Sequence, residues 1–483
     1  VQQCSSSSPV APLVEPALPV VGMLMIWNHA RSFSYSIHSC SHARIWNRTA
    51  SLLAWGRNSE GQCGTAHPSD QVLQATSVQG LNSLQGVLTI AAGHAHSCVV
   101  LENHEVLTWG CGKSGKLGHG DGRSLLQPER VETLSRSAEI VGASLGDQHS
   151  VFLDAQGGVH SCGENKEGQC GVGSELEALA LQHRQQLEQP DPRCPNQVRP
   201  GQLSTPQEVR RSSNLSSINK DHGAVAPRGP TEQAYMDQLF GARRRRGEAM
   251  GGGKGLLSEK VVEVAASRYF TVMRTSTGSV WTCGAGFSGE LGHSTTWSPA
   301  PSQVEDELYD ALMDGGGACK VVAGSTFAAA VTNDSRRALV WGRLGAHSHE
   351  GSVTTVDLPE SVRVTDIAAS RMHILVTDGE SVWTVGRGAL GTGSGSEDLQ
   401  SEAPCSSPQL VALRPPGGVS RVFAGGHVSA VLDGQGSLWL WGMPSTSQSG
   451  LSVRPIPTRV ETIQRIVTNV AIGGQHILVL TAD

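Results

Sequence analysis

The chain has 483 residues, a formal net charge of −6, 58 glycines and few aromatic residues. The acidic balance argues against a polyanion binder over its whole surface. Its 11 cysteines include no Cys-x-x-Cys pair, so the odd count fits neither a disulfide framework nor a zinc site, and the thiols are read as reduced. The longest apolar run, Pro16 to Trp27, is too short to span a bilayer.

Residues 1–50 precede the first repeated element and form an N-terminal extension. Read from Met23, the stretch to Ser51 holds Arg31, Arg44 and Arg48, many serines and histidines, and no Asp or Glu. That composition resembles a mitochondrial targeting segment; the competing reading is an ordinary disordered tail. A mitochondrial location is expected on this basis, with a nuclear one as the alternative.

From residue 51 a strand-like piece recurs, each copy ending in glycine. The copies end at Gly56, Gly110, Gly163, Gly284, Gly342, Gly386 and Gly442, with spacings of 54, 53, 121, 58, 44 and 56. One unit of about 54 residues therefore repeats, with one gap near twice that length. Apolar and polar residues alternate in each piece, as in a half-buried strand. The residue before the glycine and the residue two earlier share one face, and seven of the ten tryptophans occupy these two positions.

A second run precedes each piece after the first, joined to it by a short hairpin turn such as Glu102-Asn-His-Glu105 or Asp433-Gly-Gln-Gly436. The last such run, Ala471 to Leu480, has no strand after it, and the first strand, Leu52 to Trp55, has none before it. Pairing these two closes a ring and removes an exposed edge.

The stretch Trp55-Gly-Arg-Asn-Ser-Glu-Gly-Gln-Cys-Gly64, followed by Ala92-Gly-His-Ala-His-Ser97, resembles the regulator-of-chromosome-condensation repeat. Ser161 to Gly171 and Gly284 to Gly292 resemble it too. The resemblance implies an all-β fold, a seven-bladed β-propeller of four-stranded blades occupying residues 51–483. The fifth and seventh units, at Gly342-Arg-Leu-Gly-Ala-His and Gly442-Met-Pro-Ser, lack the Asn and Gly-Gln elements. Plant ultraviolet-B photoreceptors of this fold carry Gly-Trp-Arg-His-Thr repeats, which are absent here, so the tryptophans are read as core.

Two motifs invite a chemical reading. Gly110-Cys-Gly-Lys-Ser-Gly115 spells a phosphate-loop-like pattern, but a phosphate loop must open a helix, and the pattern recurs in register at Gly284 and Gly386. It is read as a turn of the fold. His96, His149, His373 and His476 share one register, which could suggest a metal ring. The same slot holds Phe270, Phe327 and Val428 in the other units, so it is read as a packing position. No catalytic, cofactor-binding or metal-binding residue is expected, and no cofactor.

The double-length gap lies in the third unit, as two enlarged loops within residues 174–258. In residues 174–189, Ser174 and Glu177 form a capping box, and Leu176, Leu179, His183 and Leu187 contribute to one apolar stripe that Pro190 ends. The stripe either packs on the propeller or binds a partner. Thr205 to Val209 matches Gln127 to Val131 of the preceding unit. Residues 210–254 carry nine basic and four acidic residues and read as a disordered arm. Its run Arg243, Arg244, Arg245 and Arg246 is open to three readings: a nuclear signal, an RNA or phosphate contact, or a solvated arm.

A propeller without site chemistry is expected to be a non-enzymatic interaction scaffold with protein partners in a larger complex. Mitochondrial members of the resembled family imply a subunit or assembly factor of an organellar complex, such as the mitochondrial ribosome or a respiratory complex. The family's founding activity implies the alternative, a guanine-nucleotide exchange factor for a small GTPase.

Overall fold

In the computed structural model the described residues are 50–172 (without 68 and 82–85), 202–208, 259–344, 353–393 (without 389), 405–442 and 455–482; of 202–208 and 405–406 only the backbone is described. They belong to one compact unit, Ile45–Asp483; the other unit, Val1–Arg44, lies outside them.

The described residues form seven four-stranded antiparallel sheets. Strands are lettered a to d from the channel outward. Blade 2 consists of Val87–Ala92, His96–Leu101, Val106–Gly110 and Leu125–Arg130. Blade 3 is Ile140–Leu145, His149–Asp154, Val159–Glu164 and Gln202–Glu208; blade 4 is Val261–Ala266, Phe270–Thr275, Val280–Ala285 and Trp297–Gln303. Blades 5, 6 and 7 begin at Ala318–Ala323, Asp366–Ala369 and Val419–Gly425. Each strand a adjoins strand a of the next blade, so the sheets close around a central channel.

Blade 1 joins the two ends of the repeat region. Its strands a and b are Ile466–Ile472 and His476–Ala482; its strands c and d are Ala50–Arg57 and Gln71–Ser77. Strands b and c pair without a register break from Ala50↔Ala482 to Gly56↔His476. The expected ring closure is therefore present, and this blade draws half its ladder from each end of the repeats.

The glycine at or one residue before the end of every strand c has a backbone cause. Gly284 has φ 114°. A Cβ there would stand 2.2 Å from the carbonyl oxygen of Tyr269 in the adjacent turn. The other six copies also have positive φ, from 83° at Gly342 to 142° at Gly442.

The core lies between blades. Cys98, Val100 and Val106 of blade 2 pack with Phe152 and Cys162 of blade 3, and the short helix Glu132–Ser137 inserts Leu134 between them. The helix Asp306–Asp314 does the same between blades 4 and 5 with Leu308 and Leu312. Each fully buried side chain of this kind contributes roughly 1.5–3 kcal/mol. Trp55, Trp109, Trp281, Trp341 and Trp441 are buried, whereas Trp383 and Trp439 are half-buried. Trp109 and Trp341 each donate Nε1–H to a carbonyl of the preceding blade, Gln62 at 2.9 Å and Glu290 at 2.8 Å.

Antiparallel pairing puts the a–b turns and c–d loops on one face and the b–c turns and d–a connections on the other. Strand d of blade 3 separates the two enlarged loops of the third unit. Its pairing of Gln207 with Ser161 repeats that of Glu129 with Thr108, in line with the sequence match. The first enlargement rejoins the chain at Gln202, on the a–b face; the second leaves after Glu208, on the opposite face.

Candidate functional site at the channel mouth

Each a–b turn starts from a small residue whose N–H is bonded to the carbonyl three residues on. Examples are Gly93 to His96 at 2.8 Å, Gly146 to His149 at 2.9 Å and Ser370 to His373 at 2.8 Å. The turn holds two residues up at the mouth of the channel. In five of the seven blades the first of these bonds the next blade through its backbone, as in His94 N to Gly146 O, Asp147 N to Ser267 O and Ser325 N to Arg371 O, each 3.2 Å. The hydrogen-bonded turn recurs, while the side chains it displays change from blade to blade.

Below the mouth runs the histidine register. His96 Nε2 lies 2.9 Å from Ser150 Oγ, and His149 Nε2 2.9 Å from Thr271 Oγ1. His373 Nε2 lies 2.6 Å from Ser429 Oγ, and His476 Nε2 2.8 Å from Ser97 Oγ. In every case the hydroxyl belongs to the next blade. The hydroxyls of Ser97, Ser150 and Thr271 donate to the carbonyls of Gln62, Lys116 and Gln169. They therefore accept from Nε2–H, which fixes the tautomer. Where the slot is Phe270, Phe327 or Val428, the next blade offers Ala328, Ile374 or Ile477 instead.

Burial lowers the pKa of His149 and His476 to about 3 and of His373 to about 4, and holds His96 well below its usual value. These are neutral inter-blade clasps. The slot is thus a packing position, and where it holds histidine the ring also bonds the neighbouring blade. Among the described residues no group of three or more His, Cys, Asp or Glu side chains could hold a metal ion.

The phosphate-loop-like segment is a 3-10 turn at Lys113–Gly115, and no α-helix follows it. Lys116 is 2% exposed and donates to Asp147 O and Gln148 Oε1, both at 3.1 Å. Its ammonium is spent within the protein. Of the described thiols, Cys63, Cys98, Cys111, Cys162, Cys170 and Cys283 are buried and Cys319 is half-buried; burial pushes Cys63 and Cys283 up to about 12 and Cys319 up to about 11, which disfavours the reactive thiolate.

The charged groups gather at the mouth. Arg371 of blade 6 reaches across the channel to Asp147 of blade 3, Nη2 to Oδ2 at 2.7 Å, and donates to His94 Nδ1 at 3.3 Å. Arg268 of blade 4 stands 3.8 Å from the same carboxylate. The channel behind this bridge has a volume of about 340 Å³ and alanine-rich walls, including Ala92, Ala143, Ala266, Ala323, Ala369 and Ala471. Arg57, Arg343 and Arg387 follow the strand-c glycine and bond the a–b turns through their backbone N–H. Among the described residues of the a–b turns and the positions after the strand-c glycine, five arginines stand against Asp147 and Glu164, in a chain of net charge −6. Burial lowers the pKa of His94 and His427, and Arg371 lowers both further.

The side chains expected from sequence to bind partners, Leu176, Leu179, His183, Leu187 and Arg243 to Arg246, lie outside the described residues, as does the N-terminal segment. The sequence reading passed over the mouth residues. Their signal was present: two variable positions, such as His94-Ala95, Asp147-Gln148 and Arg268-Tyr269, sit in every unit between a Gly or Ser and the His, Phe or Val of the register.

Comparison with known proteins bears on this geometry. Regulator of chromosome condensation (RCC1) repeat profiles match residues 50–100 and 103–153, and a second profile of the same repeat matches 87–116 and 140–169. Residues 50–169 thus match RCC1 repeats, within a chain that folds as a seven-bladed propeller. It is 24% identical over 354 residues to the ultraviolet-B receptor UVR8 of Arabidopsis thaliana, covering 70% of this chain and 73% of the receptor. It is 28% identical over 296 residues to the human E3 ubiquitin-protein ligase HERC2, covering 59% of this chain but only 6% of the ligase. Among solved structures, human WBSCR16 aligns with TM-score 0.65 at 18% identity over 90% of this chain and all of that one. Prp20p from Saccharomyces cerevisiae, described with its binding to Gsp1p and histones, aligns with TM-score 0.63 at 16% identity over 93% of this chain and 96% of that one. At these identities the structures speak for the fold alone. Among the described residues no helix is long and apolar enough to cross a membrane.

Proposed function

We propose that this propeller is a non-enzymatic interaction platform that docks a protein partner on the face carrying the a–b turns. One observation carries the reading. A hydrogen-bonded ring displays side chains that vary around the blades, and arginines dominate what it displays around the Arg371–Asp147 bridge. Such a surface supplies specificity and electrostatic steering without reaction chemistry. The finer reading is an assembly factor or subunit of an organellar complex, supported by the acid-free, arginine-bearing stretch from Met23. The regulatory alternative is exchange on a small GTPase, the founding activity of the repeat family that residues 50–169 match.

The test compares two charge reversals of equal size. Arg268→Glu with Arg343→Glu alters the mouth face; Arg336→Glu with Arg363→Glu alters the opposite one. Affinity capture from cells with mass spectrometry should lose the specific partners of the first variant and keep those of the second. Loss confined to the second variant, or to a deletion of residues 210–254, overturns the proposal. Nucleotide release from a purified GTPase among the captured proteins, accelerated by the chain, promotes the exchange reading.

A further inference from the structure

Aromatic residues are scarce in this chain, yet three are exposed along the mouth face of one blade. Tyr269, Phe287 and Trp297 of blade 4 are 37%, 69% and 39% exposed. They form a row. Tyr269 O accepts the N–H of Ala285 at 2.9 Å, Ala285 pairs with Trp297, and Gly286 N bonds Thr296 O at 2.9 Å beside Phe287. Three adjacent strands at a spacing of about 4.8 Å make the row roughly 10 Å long, the reach of about three extended residues. The equivalents of Phe287 in blades 1, 2 and 3 are Ser59, Lys113 and Lys166, and those of Tyr269 are Gln475, Ala95 and Gln148. The row is therefore not a demand of the repeat.

Its inner end meets the arginines. The Arg268 guanidinium stacks over the Tyr269 ring at 4.8 Å, and Arg268 also approaches Asp147 in the bridge to Arg371. Near its outer end stands Glu167, next to the ion pair of Lys166 with Glu164. Gly168 of blade 3 packs against Pro299 of strand d, which brings the neighbouring Glu167 beside it.

Taking the mouth as the docking face, the geometry points to the partner's chemistry: a protein segment with acidic side chains that meet the arginines and apolar or aromatic side chains that lie along Tyr269, Phe287 and Trp297. Exposed aromatic and arginine side chains are the usual energetic anchors of protein interfaces. A single-stranded nucleic acid also stacks on aromatics. Its phosphates, however, run the length of the row and meet Glu167 at the outer end, whereas a peptide places its carboxylates at one end alone.

Panning a random peptide display library on the full chain tests this. Recovered peptides should combine Asp or Glu with Phe, Leu or Trp. A synthetic copy should bind about ten-fold more weakly to Tyr269→Ser/Phe287→Ser and to Arg268→Glu, with melting temperatures unchanged. Arg336→Glu on the opposite face should bind it normally. An empty selection, peptides without acidic bias, or affinity indifferent to the blade 4 variants overturns the inference. So does an oligothymidylate that binds more tightly and responds to the same variants. If panning fails while Arg268→Glu with Arg343→Glu still releases captured protein, the docking face stands and only the partner's chemistry falls.

Discussion

At the scale of single residues, the repeat carries a pairing rule that spans blades. A histidine in the register faces a hydroxyl of the next blade, as His149 faces Thr271, and an apolar residue faces an apolar one, as Phe327 faces Ile374. His149→Phe should fold but lose about 1–3 kcal/mol, and adding Thr271→Ala should recover part of the loss. Denaturant unfolding of the four proteins in the cycle measures the coupling; additive losses contradict the clasp. Acid acts through the same groups. Their folded pKa values are depressed, so the unfolded chain takes up protons first as pH falls below about 6.5. Stability is full above that pH and declines towards pH 4, by up to about 1.4 kcal/mol per pH unit for each histidine. Unfolding free energies across pH 4–7 should show this slope, shallower in His149→Phe. The registers were legible in the sequence because they recur. The hydroxyl partners were not, because each sits one repeat away in a position filled by Ser, Thr, Ala or Ile.

At the scale of elements, blade 1 is where the ring closes, and its b–c ladder of seven residue pairs joins the two ends of the repeats. Deleting residues 1–60 removes strand c and exposes the edge of His476–Ala482, so it should lower the melting temperature or cause aggregation. Deleting residues 1–45 should not, and equal melting of the two truncations contradicts the closure. This closure was readable from the sequence by counting strands, since one unmatched run remained at each end. The mouth was not readable in that way. Asp147 and Arg371 are 224 residues apart, and only the curvature of seven blades brings them together across the channel. Strand periodicity reports which face a residue occupies and carries no signal for a contact across a ring.

At the scale of the whole molecule, the propeller presents two unlike faces, and the enlarged loops of blade 3 are divided between them. The first rejoins the chain beside the mouth and the second leaves from the opposite face, so the two need not serve one contact. Deleting residues 210–254 should leave melting and mouth-dependent capture unchanged, while weakening any salt-sensitive association with polyanions. Capture at two salt concentrations separates these effects; loss of the mouth-dependent partners on deletion contradicts the division. The most direct measurement of the docking face is hydrogen exchange of the chain alone and with its captured partner. The account predicts added protection in the a–b turns and the first residues of the c–d loops, above all His94, Asp147, Arg268 to Tyr269, and Arg371. Protection confined to the b–c turns and d–a connections, such as Asn333 to Arg337, would contradict it.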